Sequence, residues 1–140
     1  MSNVDTHRSA HEAFNRRDWG GVVEHFSADA EYTDQARGVT VKGPVEFVDY
    51  LQTGWIAAFS DARVTETRYT DGGDRTVTQF VGTGTNDGSL GPMPATGNKM
   101  IVPFCEILEY DAMGRVTRGE LYYDQASLLS QLGHLPPLSG

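Results

Sequence analysis

Two carboxylates stand where short elements end and could each handle a proton. Asp34 closes the stretch Glu31-Tyr32-Thr33-Asp34, with Tyr32 two residues earlier on the same face of an extended strand. A carboxylate against apolar walls has its pKa raised, which suits proton removal beside a carbonyl. An Asp at a strand end also starts turns. Asp124 precedes Gln125 to Leu132 and is placed to cap a helix there, a role worth about 1 kcal/mol. His7 and His11 stand at i and i+4, a spacing that can chelate a metal, but the motif is not HExxH and no third ligand is evident. They read as a helix face with two partly exposed histidines, and no metal is expected. Cys105 sits in an apolar stretch with no histidine near it in sequence, the setting of an inert thiol. The glycine-rich stretch from Gly82 to Gly97 lacks a following GK[ST], so it is no phosphate loop.

The elements that must position these groups follow from patterning. His7, Ala10, His11 and Phe14 recur at helical spacing within a helix predicted from Asp5 to Arg16. Asp18 opens a second, short helix carrying Trp19, Val22, Val23 and Phe26. Ala30 to Asp34 and Val39 to Lys42 read as strands joined by a turn at Gln35 to Gly38. Gly43-Pro44 starts the longest helix, with Phe47, Val48, Leu51, Trp55, Ile56 and Phe59 on its apolar side. The character then becomes extended: Ala62 to Thr70, Thr76 to Thr85, Lys99 to Tyr110 and Arg115 to Tyr123. A last helix, Gln125 to Leu132, ends at Gly133. Helices first and antiparallel strands last make the class α+β. Residues 1–133 read as one domain and 134–140 as a loose tail.

Composition removes several function classes. The chain of 140 residues carries a net charge of -8 and no basic stripe, which argues against nucleic acid. A single cysteine excludes an intrachain disulfide framework and a cysteine-built zinc site. No apolar run approaches the roughly 20 residues of a membrane span. The polar start, MSNVDTHRSA, lacks the apolar core of a signal peptide, so a cytoplasmic location is expected.

Three stretches carry a resemblance: FNRRDWGGVVEHFSADAEYTD, FVGTGTNDGSLGPMPATGNKM and PFCEILEYDAMGRVTRGELYYDQASLLSQLG. Together they resemble the SnoaL-like proteins of the nuclear transport factor 2-like superfamily. The resemblance implies a cone-shaped, curved antiparallel sheet packed by N-terminal helices. It also implies, without fixing which, a polyketide cyclase-like enzyme, a ketosteroid-isomerase-like enzyme, or a non-catalytic small-molecule-binding protein. On the isomerase pattern Asp34 takes the place of the base, while Ala10 and Cys105 fall where oxyanion donors belong. On the cyclase pattern Asp124 takes the place of the acid/base. Epoxide hydrolysis fits poorly, since Leu121 falls where an Asp is needed. An acidic carbonyl substrate requires no cofactor or metal.

Period-two alternation then assigns strand faces. With Cys105 toward the pocket, Pro103 and Ile107 follow it, and Gly119, Leu121 and Tyr123 match them from the last strand. The expected pocket is Tyr32, Trp55, Phe59, Cys105, Ile107, Leu121 and Tyr123, with Asp34 as its deepest charge. Phe104, Glu106, Arg118, Glu120 and Tyr122 are expected on the outer face, as a homodimer interface. Such a pocket suits a hydrophobic, carbonyl-bearing small molecule such as a polyketide or a steroid-like compound.

Overall fold

The computed structural model describes residues 1–136. The tail expected over 134–140 therefore lies partly outside the described residues, which exclude 137–140. Helix α1 spans Asn3–Arg16 and begins in a capping box, in which Ser2 and Asp5 each accept the other's backbone N–H. It ends at Arg17, in the left-handed conformation with φ 62°. The Arg17 guanidinium donates to the carbonyls of Ala62 at 2.6 Å and Ser60 at 3.0 Å, tying the helix end to the loop before the third strand. The short helix α2, Trp19–Val22, is capped by Asp18.

Strand β1 runs over Phe26–Asp34, four residues longer at its start than the alternation indicated. Strand β2, Val39–Lys42, pairs antiparallel to it across the expected turn. Helix α3 covers Gly43–Leu51 with Pro44 in its first turn. The predicted single helix does not continue evenly. Gln52–Ile56 is a π-helical turn, closed by the Ala57 N–H on the Gln52 carbonyl at 2.9 Å. Two features coincide there: the Gly54 carbonyl accepts from Arg37 Nη1 of another segment at 2.9 Å, and glycine is a weak helix former. Such turns often re-aim a side chain at a functional site, and here Trp55 lies in the turn.

Strands β3 (Arg63–Asp71), β4 (Arg75–Thr85), β5 (Lys99–Tyr110) and β6 (Val116–Tyr123) follow, then helix α4, Gln125–Leu132. Among the described residues they form a six-stranded curved sheet in the order β2-β1-β6-β5-β4-β3. All neighbours are antiparallel except β1 and β6, which run parallel. Helices α1 and α3 lie against the inner face of this sheet, α1 on β3 and β4 and α3 on β1 and β2. No helix among the described residues is long and apolar enough to cross a membrane.

The inner face differs from the expected one by a single residue on β5. Met100, Val102, Phe104, Glu106, Leu108 and Tyr110 are buried, whereas Ile101 and Pro103 are exposed and Cys105 and Ile107 only half-buried. The register explains it, because Glu106 stands opposite Leu121 and Phe104 opposite Tyr123. Leu121 and Tyr123 were placed on the inner face, so their cross-strand partners belong there too. A one-residue slip turns every side chain of a strand to the other face.

Two close approaches shape the inner surface. Gly82 on β4 leaves room for the Phe104 ring, which stacks on Phe80 with centroids 5.1 Å apart. Gly119 on β6 does the same for Tyr32: a Cβ there would run into the tyrosine ring and lie 3.0 Å from Leu108 Cδ2. Gly119→Ala is therefore expected to destabilise the chain by about 1–3 kcal/mol through overpacking. Urea denaturation measures this, and an unchanged midpoint would show that Tyr32 can shift freely.

Candidate functional site: a carboxylate bridged by two histidines

Helices α1, α2 and α3, Trp55 of the π-helical turn, the start of β3 and the inner faces of β1, β4, β5 and β6 line a cavity of about 90 Å³. Its walls are apolar and strongly aromatic, with Phe14, Phe26, Phe47, Trp55, Phe80 and Phe104 among them. The polar side chains reaching it are few: His11, Tyr32, Arg63 and Glu106.

Glu106 is the centre of this polar end. Its Oε1 lies 2.8 Å from His7 Nε2 and 2.7 Å from His11 Nε2, and its Oε2 accepts from the Tyr32 hydroxyl. All four residues are buried. The far nitrogens of both rings meet hydroxyls, His7 Nδ1 with Thr76 Oγ1 at 2.7 Å and His11 Nδ1 with Tyr69 Oη at 2.9 Å. Thr76 continues to the Tyr110 hydroxyl at 2.8 Å. The sequence places the imidazoles one helical turn apart on α1, so both point at the same spot on β5. The histidines are thus not a partly exposed helix face: His7 is 0% and His11 8% exposed.

Electrostatics follow from the geometry. Burial pushes the Glu106 carboxyl up, but the imidazoles of His11 and His7 outweigh it and hold the group well below the usual carboxylate range. Burial pushes His7 below its ordinary value, against the pull of Glu106. Tyr32 is pushed well above the tyrosine range by burial and by the neighbouring Glu106 charge, so it stays a hydroxyl donor. Burial takes Tyr69 up to about 12. The donor atoms of His7, His11 and Glu106 all lie within 4.8 Å of one another, close enough to share a metal ion.

The residues expected from sequence are divided by the structure. Tyr32, Trp55 and Leu121 line the cavity. Phe59 is fully buried behind it, and Gly84 packs on its ring. Cys105 and Ile107 are turned away by the register of β5, so Cys105 does not occupy the oxyanion position. Tyr123 sits with its ring against Trp55 and Phe104 and donates to Asp34 Oδ2 at 3.1 Å.

Asp34 is fully buried but is not among the residues lining the cavity. It accepts from the Tyr50 hydroxyl at 2.6 Å, from Tyr123 and from the Arg37 backbone N–H at 3.0 Å. The Arg37 guanidinium lies 4.1 Å over the Trp55 ring, and Trp55 Nε1 donates to the Tyr50 hydroxyl at 2.9 Å. Asp34 thereby ties the end of β1 to the π-helical turn. Asp124 is exposed and caps α4, accepting from the Ser127 N–H at 3.0 Å; it too lies outside the cavity. Neither carboxylate lines this cavity; Glu106, expected on the outer face, takes its polar end instead. The signal that could have placed it is its parity with Val102, Phe104 and Leu108, which the equally apolar Ile101, Pro103 and Ile107 of the opposite face obscure.

The pH dependence of stability follows from these shifts. His7 and Glu106 both hold their protons less tightly in the folded chain than in the unfolded one. Their contribution is therefore complete above the ordinary values of 6.5 and 4.5, and is lost as pH falls below each in turn. Urea denaturation from pH 8 to pH 2 is expected to show two successive losses, the lower one, below about pH 4.5, absent in Glu106→Gln. Equal acid limbs in both proteins would place the cause elsewhere.

Comparison with known proteins gives a consistent picture. A search of curated proteins finds no match. Among solved structures, AclR from Streptomyces galilaeus superposes with a TM-score of 0.82 at 23% identity, covering 97% of this chain and 83% of that one. A candidate SnoaL-like polyketide cyclase from Jannaschia sp. gives 0.82 at 20% identity, with 96% and 93% covered. A protein of ketosteroid isomerase-like fold from Catenulispora acidiphila, in complex with trimethylamine, gives 0.79 at 22%, with 92% of each chain covered. At these identities the likeness shows the fold. The sequence itself matches the family model of SnoaL-like polyketide cyclases over residues 4–132, and the chain belongs to that family.

Proposed function

We propose that this chain is an acid/base enzyme of the cyclase or isomerase type, acting on a hydrophobic carbonyl compound through the His11–Glu106 pair. The observation that carries the reading is an ionised, imidazole-bridged carboxylate at one end of an otherwise apolar cavity. Such a site suits removal of a proton beside a carbonyl, because the imidazole that receives it stands against a fixed carboxylate that balances the charge it gains. Glu106 is held ionised, so the next proton taken up by the coupled cluster goes to an imidazole. His11, which lines the cavity, is the proton carrier in this reading, and Glu106 orients it and balances its charge. The C–H electrons pass into the enolate, which then attacks a second carbonyl or is reprotonated at another carbon. The cavity of about 90 Å³ is well under the ~300–1,000 Å³ of many ligand sites, so the proposed ligand presents one ring or a short acyl end to the pair.

A second reading has its own support. Three of the four lone-pair positions of the Glu106 carboxylate are filled, and a carboxyl held so low is a weak base alone. A non-catalytic pocket protein then becomes the alternative, and an aromatic cage with an anion at its end suits a small organic cation. The trimethylamine in the Catenulispora protein is a ligand of that kind.

Ultraviolet assays with small enolisable and β,γ-unsaturated ketones separate the two. On the enzyme reading, His11→Asn and Glu106→Gln each lower turnover by about 10²–10⁴-fold. Asp124→Ala keeps the rate while costing about 1 kcal/mol of stability through the lost cap. Turnover unaffected in the His11 and Glu106 variants would remove the pair from the chemistry, and calorimetric binding of tetramethylammonium without any turnover would favour the carrier.

Assembly belongs to the same proposal. The outer face of β4–β6 carries exposed Ile101, Pro103 and Tyr122 beside half-buried Cys105 and Ile107, and we place a homodimer contact there. Sedimentation should show a dimer that Ile101→Lys with Tyr122→Glu converts to monomer; a wild-type monomer would end the idea.

A further inference from the structure

We propose that His7, His11 and Glu106 form a binding site for a divalent first-row transition-metal ion of the zinc type, with the ion's remaining positions opening on the cavity. Three features carry this. First, two buried imidazoles and one carboxylate converge through Nε2, Nε2 and Oε1, with N···O separations of 2.8 and 2.7 Å. Tetrahedral metal bonds of about 2.0–2.2 Å set neighbouring donors about 3.3–3.5 Å apart, so each N···O edge must open by about 0.5–0.8 Å to admit the ion. Second, the donors come from one helix turn and a central strand, both rigid elements, and two of the three residues line the cavity. A bound ion would therefore keep an open side toward a ligand, as three-ligand sites do.

Third, the outer groups already fit a loaded site. A ring that binds metal through Nε2 carries its proton on Nδ1 and needs an acceptor there. Thr76 Oγ1 and Tyr69 Oη stand at those places, 2.7 and 2.9 Å away. Both are hydroxyls, which accept or donate by rotation. Each ring can thus move its proton from Nε2 to Nδ1 and donate it to these hydroxyls, while Thr78 Oγ1, 3.0 Å from His7 Nε2 and 3.1 Å from Nδ1, gives up the first contact and keeps the second. Tyr110 continues the relay from Thr76 to the Asn3 carbonyl at 3.1 Å. The Tyr32 hydroxyl on Oε2 fixes the carboxylate so that Oε1 is the ligand atom. A set of two nitrogens and one oxygen suits zinc, cobalt, nickel or ferrous iron and disfavours magnesium and calcium, which take oxygen ligands. The single negative charge of the set leaves a bound dication with net positive charge, directed at a carbonyl oxygen or a bound water.

The inference uses side chains of the proposed proton-transfer pair but does not rest on that reading, since metal binding is measured without substrate. The full chain, treated with a chelator and dialysed, is titrated with Zn²⁺ by calorimetry and with Co²⁺ by visible absorption. The expected result is one ion per chain and d–d bands of cobalt bound to nitrogen and oxygen. His11→Asn and Glu106→Gln abolish the bands. Tyr69→Phe, which removes only the outer acceptor and keeps the core filled, weakens binding by about 10–100-fold while its thermal melting stays near wild type. Absence of stoichiometric binding, or binding equally strong in all three variants, overturns the site. Turnover by chelator-treated protein tests the acid/base reading separately, so either idea can fail alone.

Discussion

A carboxylate taken out of water must be matched at once by partners, because an unpaired buried charge costs several kcal/mol. Glu106 is the point where this chain meets that constraint. Its two oxygens collect hydrogen bonds from α1, twice, and from β1. The outer nitrogens of the two imidazoles are in turn met by hydroxyls from β3 and β4. The polar end of the cavity is thus a small network in which each member fixes the orientation of the next. Removing one member strands the others, so the network acts as a unit.

The rest of the inner face is organised so that this network can sit beside an apolar hole. Aromatic rings from α1, α3, β1, β4 and β5 form the walls, and the cavity persists because Gly82 and Gly119 let the Phe104 and Tyr32 rings lie flat against the sheet. A second polar knot, centred on Asp34, holds the far end. There Tyr50, Tyr123 and Arg37 fix the end of β1 to the π-helical turn, and Trp55 is pinned between the guanidinium and the cavity. One carboxylate faces the hole; the other braces its wall.

Most elements were legible from local patterning. Lys99–Tyr110, Val39–Lys42 and Gln125–Leu132 have the boundaries that their composition gives. The family resemblance carried the architecture, including the curved sheet. What misled was β5, a strand apolar on both faces: Ile101, Pro103 and Ile107 alternate with Val102, Phe104 and Leu108. With neither face polar through its middle, Glu106 itself marks the outside in the sequence reading, and it is the one charged residue of β5 that points inward. His7 and His11 were read without a third partner because that partner lies on a strand whose parity was inverted. Asp34 and Asp124 were conspicuous because they end elements, yet position at an element's end says nothing about which cavity a side chain enters. The π-helical turn has no local signature beyond Gly54, since it depends on Arg37 from another segment.

The sequence separations within the network have a bearing on how the chain is made. His7 and His11 stand 99 and 95 residues before the carboxylate they bind. Contacts of that range form late, after much loop-closure entropy has been lost. On a ribosome the first helix emerges long before β5, and its two imidazoles have no carboxylate to meet until the last third of the chain is out. A nascent or truncated chain can hold helices and early hairpins, but not the site. Pairing of Glu106 with its histidines thus requires the chain through β5: the chemistry of the cavity cannot be assembled from the N-terminal elements alone.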